Sequence, residues 1–575
     1  MSSLQSLNLQ PILSTGGMRA LDAASKEFLA KKTTSEPTTK DVIQSGYTLM
    51  QEAGAALFKY VQAKALEPIA IFIGGGNNGG DGLVLAKLLL QAGIKSTTFS
   101  LANESKFQNE AKLALEDFQK AGGSLFDFKK ITEEPKQASF LLHDGFKLVV
   151  DCMLGNGAKG ELRQEFATAV QIINESGLPI IAADAPTGYD SSVHVSNEVC
   201  IHANETMLFG FSRLDAYAKE GGRAFGKAVV AQLSYPAEVV QQFDEKVYIV
   251  TEDIFPQLLP ARDEWGDKRS QGTALVIAGS KDMPGAAALC TEAALRSGAG
   301  LVTLATPQAI APIIQTKLSE PVFCSLEDHE KRENCAGERA DSKENSAGDC
   351  RGTLQPQHIS TILKRAKHAS AIAIGPGLST NTATVKAVLE LLPQLNAPTV
   401  IDADALNAIA TLNSEVENCA ADSVTKNCTT TGRAAIHYLR DLQAPAILTP
   451  HVREFARLFG ALPENSSDIP SRLKAIASST NKVILLKGAP TFIATPDGNI
   501  YVISIANSGM AKGGSGDILT GIIAALLSQG LEAPEAAILG ALLHQKAGRI
   551  TRKELGAFSM LPSDVIKNLH KAFSK

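Results

Sequence analysis

The chain has no excess of positive charge, no paired-cysteine motif and no long apolar run, and each shortage removes a class of function. Against 55 Lys and Arg stand 60 Asp and Glu, a formal net charge of −5. A phosphate backbone is held by clustered Lys and Arg, so a nucleic-acid partner is not expected, although local backbone dipoles still suit small anionic ligands. The eight cysteines, at 152, 200, 290, 324, 335, 350, 419 and 428, include no C-x-x-C pair. A zinc ribbon or redox pair is therefore unsupported, and ordinary thiols in a reducing compartment are expected. No apolar stretch approaches the roughly 18 residues that span a bilayer. The opening MSSLQSLNLQPILSTGG lacks a basic start followed by an apolar core, which predicts a cytoplasmic protein without membrane attachment.

What is present is enough apolar material for more than one core. The 575 residues are 44% hydrophobic and 20% charged, and single cores stop growing at about 250–300 residues. Short apolar runs alternate with helical patterns: Ile69–Ile73 then Leu83–Leu90, Leu148–Val150 then Phe166–Ile173, then Ile180–Ala183. The rhythm returns at Ala274–Ile277, Ala287–Leu295, Leu301–Leu304, Ala371–Ile374, Thr399–Ile401, Ala446–Leu448 and Val483–Leu486. Strands interleaved with helices predict α/β layers around largely parallel sheets. Two domains are expected, 1–243 and 244–575, with the boundary near Phe243. The polar segments 327–352 and 413–432 interrupt the rhythm and read as surface insertions.

Three strand ends in the first region carry chemistry. PIAIFIGGGNNGGDGLVLAKLLLQAG reads as strand, glycine-rich loop and helix, an arrangement that presents free N–H groups to a phosphate. VVDCMLGNGAKGEL and IIAADAPTGYD each end an apolar strand in an acid followed by a glycine-bearing loop. Ligands of open parallel sheets bind outside the carboxyl ends of strands, so the three loops are expected to share one crevice. Asp184 is the candidate acid/base there.

In the second region NSGMAKGGSGDILTGIIAALLSQG brings Gly513, Gly514 and Gly516 directly into a helix. Its N–H groups form an anion hole with Asp517 at the lip. A phosphate would repel that carboxylate, so its use is to position or deprotonate an acceptor hydroxyl during in-line transfer.

Together GYTLMQEAGAAL, GGGNNGGDG, DCMLGNGAKG and DAPTGYD resemble the NAD(P)H-hydrate epimerase family and imply a Rossmann-like three-layer domain. By position, that resemblance assigns substrate contacts to Asn77, Asn78, Gly79, Gly80 and Asp81, to Gly155, Asn156, Gly157, Ala158, Lys159, Gly160 and Glu161, and to Asp184. It implies a potassium ion held by Asn78, Asp151 and Thr187.

The glycine loop, with GSKDMPGAAALCTEAALRSGAGLVTLAT, IAIGPGLS, VIDADALNAI, LTPHVREFARL and VILLKGAPTFIA, resembles the ribokinase-like NAD(P)H-hydrate dehydratases. This implies contacts of Ala286, Gly377, His451 and Asp517 with the hydrated cofactor. Lys487, Gly488, Ala489, Pro490, Thr491 and Gly516 would contact an adenine nucleotide, and Glu454 would orient His451 or help hold magnesium. The implied donor is ADP, with ATP as the alternative. The joint activity would be repair of hydrated NADH and NADPH, one domain exchanging the R and S epimers and the other dehydrating the S form; assembly as a homo-oligomer is expected. Two rival readings are a small-molecule kinase of the same fold and an N-terminal ligand sensor without catalysis.

Overall fold

The computed structural model describes residues 4, 7, 9–128, 142–191, 195–196, 198–328, 351–419 and 432–574. It divides into two compact units: Gln10–Ile249 with Glu464–Asp468, and Met1–Leu9 with Val250–Pro463 and Ile469–Lys575. The chain changes unit after Leu9, Ile249, Pro463 and Asp468.

In the first unit seven parallel strands form one sheet: β1 (Ile69–Ile73), β2 (Ser96–Ser100), β3 (Leu125–Asp127), β4 (Leu148–Cys152), β5 (Ile180–Ala183), β6 (Glu205–Phe209) and β7 (Lys227–Ala231). Their spatial order is β7-β6-β5-β4-β1-β2-β3. The strand order reverses between β1 and β4, the Rossmann switch point at which a crevice opens. Strands β1 and β4 are buried along their whole length, which explains their uninterrupted apolar runs.

Helices α1 (Thr15–Thr33), α2 (Thr39–Ala63) and α3 (Asn77–Gln91) belong to this unit. Apart from the sheet, strand Gln10–Leu13 pairs in parallel with Ser212–Arg213, placing Leu13 opposite Arg213.

In the second unit nine strands form a continuous sheet: β8 (Thr273–Ile277), β9 (Leu301–Pro307), β10 (Val322–Leu326), β11 (Ala371–Ile374), β12 (Thr399–Ile401), β13 (Ala446–Leu448), β14 (Val483–Leu486), β15 (Thr491–Ala494) and β16 (Ile500–Ile503). The order is β16-β15-β14-β13-β12-β11-β8-β9-β10. All pairs are parallel except β14–β15 and β15–β16, an antiparallel meander. The site-bearing helices are α4 (Pro284–Arg296), α5 (Ala403–Cys419), α6 (Val452–Phe459), α7 (Ser515–Ser528) and α8 (Ala533–Ser559).

Helices α4 and α7 meet backbone to backbone. A Cβ on Gly521 would lie 2.1 Å from the Cys290 carbonyl oxygen, so only glycine lets the helix carrying the glycine loop sit this deep.

One expectation needs correction. Residues 413–419 continue helix α5 and are not the start of a loop. Asn413 donates to the carbonyls of Arg457 and Leu458 at 3.0 and 3.1 Å and accepts the Ala435 amide at 3.2 Å. A polar side chain that caps backbone groups carries no apolar signal. Residues 420–431, and 329–350 of the other polar segment, lie outside the described residues.

Gly521→Ala is expected to cost about 1–3 kcal/mol or more, because backbone must move to admit the methyl group. Thermal unfolding should show a lowered midpoint for the C-terminal unit.

Candidate active sites

The glycine loop after β1 becomes helix α3 through a very close approach. A Cβ on Gly79 would sit 1.9 Å from the Gly74 carbonyl oxygen, and one on Gly74 would sit 2.1 Å from that of Met153. The helix start is thereby pressed against the strand ends. It lines a cavity of about 720 Å³ with Asn77, Asn78, Asp81, Gly155, Asn156, Gly157, Ala158 and Asp184.

The loop after β4 is divided. Lys159, Gly160 and Glu161 line a neighbouring cavity of about 420 Å³, while Ala158 and Leu154 border both. Gly79 and Gly80 are buried in the first turn of α3.

Asp184 stands at φ +61°, in the left-handed region that an L-residue adopts at a cost of roughly 1–2 kcal/mol. Its carboxylate accepts the Asn156 amide at 2.7 Å. Arg213 donates to its other oxygen, and to the Asp184 carbonyl at 2.8 Å. Behind it, Arg213 Nε reaches Asp215 at 3.2 Å. Arg213 is 1% exposed, so this guanidinium is a buried brace for Asp184. The sequence reading missed it, because Arg213 lies outside the motifs that marked the loops.

Asp151 and Thr187 are both buried. Asp151 accepts the Thr187 amide and hydroxyl at 2.8 Å each and the Met153 amide at 3.1 Å. Burial pushes the Asp151 carboxyl up to about 6. On the cavity wall, both polar atoms of the Asn78 amide are buried without a partner, which leaves their hydrogen-bonding capacity unmet.

In the second unit Gly514, at φ +99°, caps helix α7, and Asp517 occupies its first turn. Burial, followed by the charge of Asp402, pushes the Asp517 carboxyl up to about 6. Asp402, 1% exposed, anchors the surroundings: Lys487 lies 2.7 Å from one oxygen, and the Thr520 hydroxyl donates to the other at 2.7 Å. Lys487 Nζ is 3.9 Å from Glu454. Burial opposes its charge, but Asp402 and Glu454 outweigh that and hold the ammonium above its usual range.

His451 caps helix α6. Its Nδ1 accepts the amides of Arg453 and Glu454 at 3.0 and 3.3 Å, while Glu454 accepts the His451 amide at 2.8 Å. A Cβ on Gly516 would lie 3.2 Å from Lys487 Nζ, which places the glycine loop against the Lys487–Asp402 pair. Gly377, at φ +63°, packs on Ala286, where a Cβ would come within 2.8 Å. Gly488 and Ala489 are exposed, whereas the Thr491 hydroxyl turns back to the Gly488 carbonyl at 2.8 Å.

His544 on α8 was not singled out from the sequence. It is buried, and burial and then Lys487 push it down to about 4, so it is neutral.

Asp402→Ala leaves the half-buried Lys487 with Glu454 at 3.9 Å as its nearest carboxylate and the Thr520 hydroxyl without its acceptor, and is expected to destabilise the C-terminal unit by about 1–3 kcal/mol. Denaturant titration checks this, with Asp402→Asn expected to lose less.

Profiles described as NAD(P)H-hydrate dehydratase and as YjeF-related protein N-terminus match residues 274–571 and 46–214. The bifunctional NAD(P)H-hydrate repair enzyme Nnr of Moorella thermoacetica is 34% identical, over 90% of each chain. That of Escherichia coli is 28% identical, over 91% of this chain and 89% of its own. The ADP/ATP-dependent NAD(P)H-hydrate dehydratase from Bacillus subtilis, co-crystallized with ATP/Mg2+, is 29% identical over 56% of this chain and 98% of its own, with a TM-score of 0.41. Both halves and their order match, and the chain belongs to the family of bifunctional NAD(P)H-hydrate repair enzymes, which join an epimerase to a dehydratase.

Proposed function

We propose that Asp184 is the acid/base of the epimerase, acting on hydrated NADH or NADPH held by Asn77–Asp81 and the loop from Gly155 to Glu161. The observation that carries this is the bracing of Asp184 on the cavity wall by Arg213 and the Asn156 amide. Epimerisation opens and recloses the hydrated carbon, which requires proton transfer at its oxygen. The same proposal places a potassium ion with Asn78, Asp151 and Thr187. Hard oxygen donors suit it, and the unpartnered Asn78 amide is the group with coordination to spare. When bound, it would supply positive charge beside the substrate.

For the dehydratase, the water added at C6 leaves poorly as hydroxide. Phosphorylating that oxygen makes it a good leaving group, and the ring-nitrogen lone pair then expels it. The α7 N-terminus stabilises phosphoryl oxygens, and Asp517 takes the proton of the C6 hydroxyl. ADP is the proposed donor, with AMP and phosphate released; ATP is the alternative. The nucleotide would lie along 487–491 and Gly516, and the hydrate near Ala286, Gly377 and His451. Magnesium with the phosphates would add charge neutralisation, and Glu454, 3.3 Å from His451 and 3.9 Å from Lys487, would help hold it.

No described helix is long and apolar enough to cross a membrane. A cytoplasmic location accords with the buried free thiols Cys152, Cys200, Cys290 and Cys324. A homo-oligomer is proposed on the family resemblance alone.

The test is recovery of reduced-nicotinamide absorbance from a mixed-epimer hydrated NADH preparation with magnesium and ADP, ATP or no nucleotide. Recovery of both epimers with ADP is expected; a phosphorylated product that persists would contradict the dehydratase assignment. As a base, Asp517 works only when ionised, so dehydration kcat/KM should fall as pH drops through about 6. Asp517→Asn should lower turnover by about 100-fold or more while nucleotide binding survives.

A further inference from the structure

The N-terminal cavity holds more acid than dinucleotide binding calls for. Asp22, Asp81 and Asp184 all line it, although carboxylates repel the phosphates of the ligand. Asp184 is occupied by Arg213 and the Asn156 amide, both donors that an ionised carboxylate accepts. Asp22 accepts the Tyr235 hydroxyl. Asp81 differs from both. It is 8% exposed, and its carboxyl group has no hydrogen bond or ion pair among the described residues, yet it opens on the cavity.

The surroundings of Asp81 favour a proton on it. Burial pushes its pKa well above the carboxylate range, and the charges of Asp184 and Asp22 add to this, opposed by Lys26. Lys26 on α1 is itself engaged by Glu110 at 2.7 Å. Helix α2 lines the cavity with Val42, Gly46, Leu49, Met50 and Ala53 and presents no titratable group there. Arg19, Glu27 and Tyr235 complete the ionisable lining. One carboxyl group braced by a cation and one buried without a partner, lining a single cavity, is the arrangement that separates a base from an acid.

We propose that Asp81 is a second catalytic residue of the epimerase, the proton donor that works with Asp184 as proton acceptor. The assignment rests on the epimerase reading above and deepens it, since Asp81 otherwise counts only as a substrate contact. In one direction the N1 lone pair forms an N1=C6 double bond as the C6–O bond breaks. Asp81 gives its proton to the departing oxygen, which leaves as water. Water then adds to the opposite face of C6, the N1=C6 electron pair returns to N1, and Asp184 takes the proton that the new hydroxyl releases. The proton now on Asp184 serves the reverse conversion, and exchange with solvent resets the forward one.

The test follows conversion of the purified R epimer to S by chromatography, with the full chain and no nucleotide. Asp81→Asn is nearly isosteric and should lower kcat for exchange by about 100-fold or more, with KM changed far less. Its calorimetric affinity for the hydrate should survive, and the fall in wild-type exchange at high pH should vanish from its residual rate. In ¹⁸O water, every wild-type conversion should carry one solvent oxygen into the product. Near-normal kcat, a loss confined to KM or to binding, or retention of the original oxygen would overturn the assignment. A native chain that exchanges no epimers would instead refute the underlying epimerase reading.

Discussion

Both units depend on how closely a helix can approach neighbouring backbone. At Gly79 and Gly74 the first turn of α3 lies on backbone carbonyls, and at Gly521 helix α7 lies on the backbone of α4. Any side chain at these points would lift the helix away, and with it the free N–H groups of its first turn, which suit an anion. The glycines are therefore packing requirements first.

Each unit also carries a cation paired with a strand-end carboxylate. Arg213 spans Asp184 and Asp215 in the first, and Lys487 pairs with Asp402 beside the glycine loop in the second. Such pairs add little net stability, because desolvation offsets most of the attraction. Their effect is orientation. Asp184 itself and Ala403, next to Asp402, take left-handed backbone at φ +61° and +48°. Strain of this kind at two strand ends, held by surrounding contacts, is characteristic of sites where a side chain must point in one direction.

The layered α/β architecture was legible because fully buried parallel strands write continuous apolar runs, as in Ile69–Ile73 and Val483–Leu486. The glycine-rich loop after β1 was legible because close backbone approach at Gly74 and Gly79 leaves no room for a side chain. The short strand Leu125–Asp127, partly exposed, left no such run. Arg213, Asp402 and His544 escaped notice as site residues for a different reason: their roles arise from partners distant in sequence. Asn413 was misplaced because a side chain that satisfies backbone carbonyls resembles a loop residue in composition. The division of the loop from Gly155 to Glu161 between two cavities is likewise a property of three-dimensional closure.

Joining the two activities has a chemical reason: a dehydratase selective for one epimer strands the other unless exchange keeps supplying it. The most direct measurement starts from pure R hydrate, with the full chain, magnesium and ADP, and follows reduced-nicotinamide absorbance against a chain carrying Asp184→Asn. The account predicts complete recovery with the native chain and recovery limited to spontaneous epimerisation with the variant. Equal recovery rates from the two would contradict it.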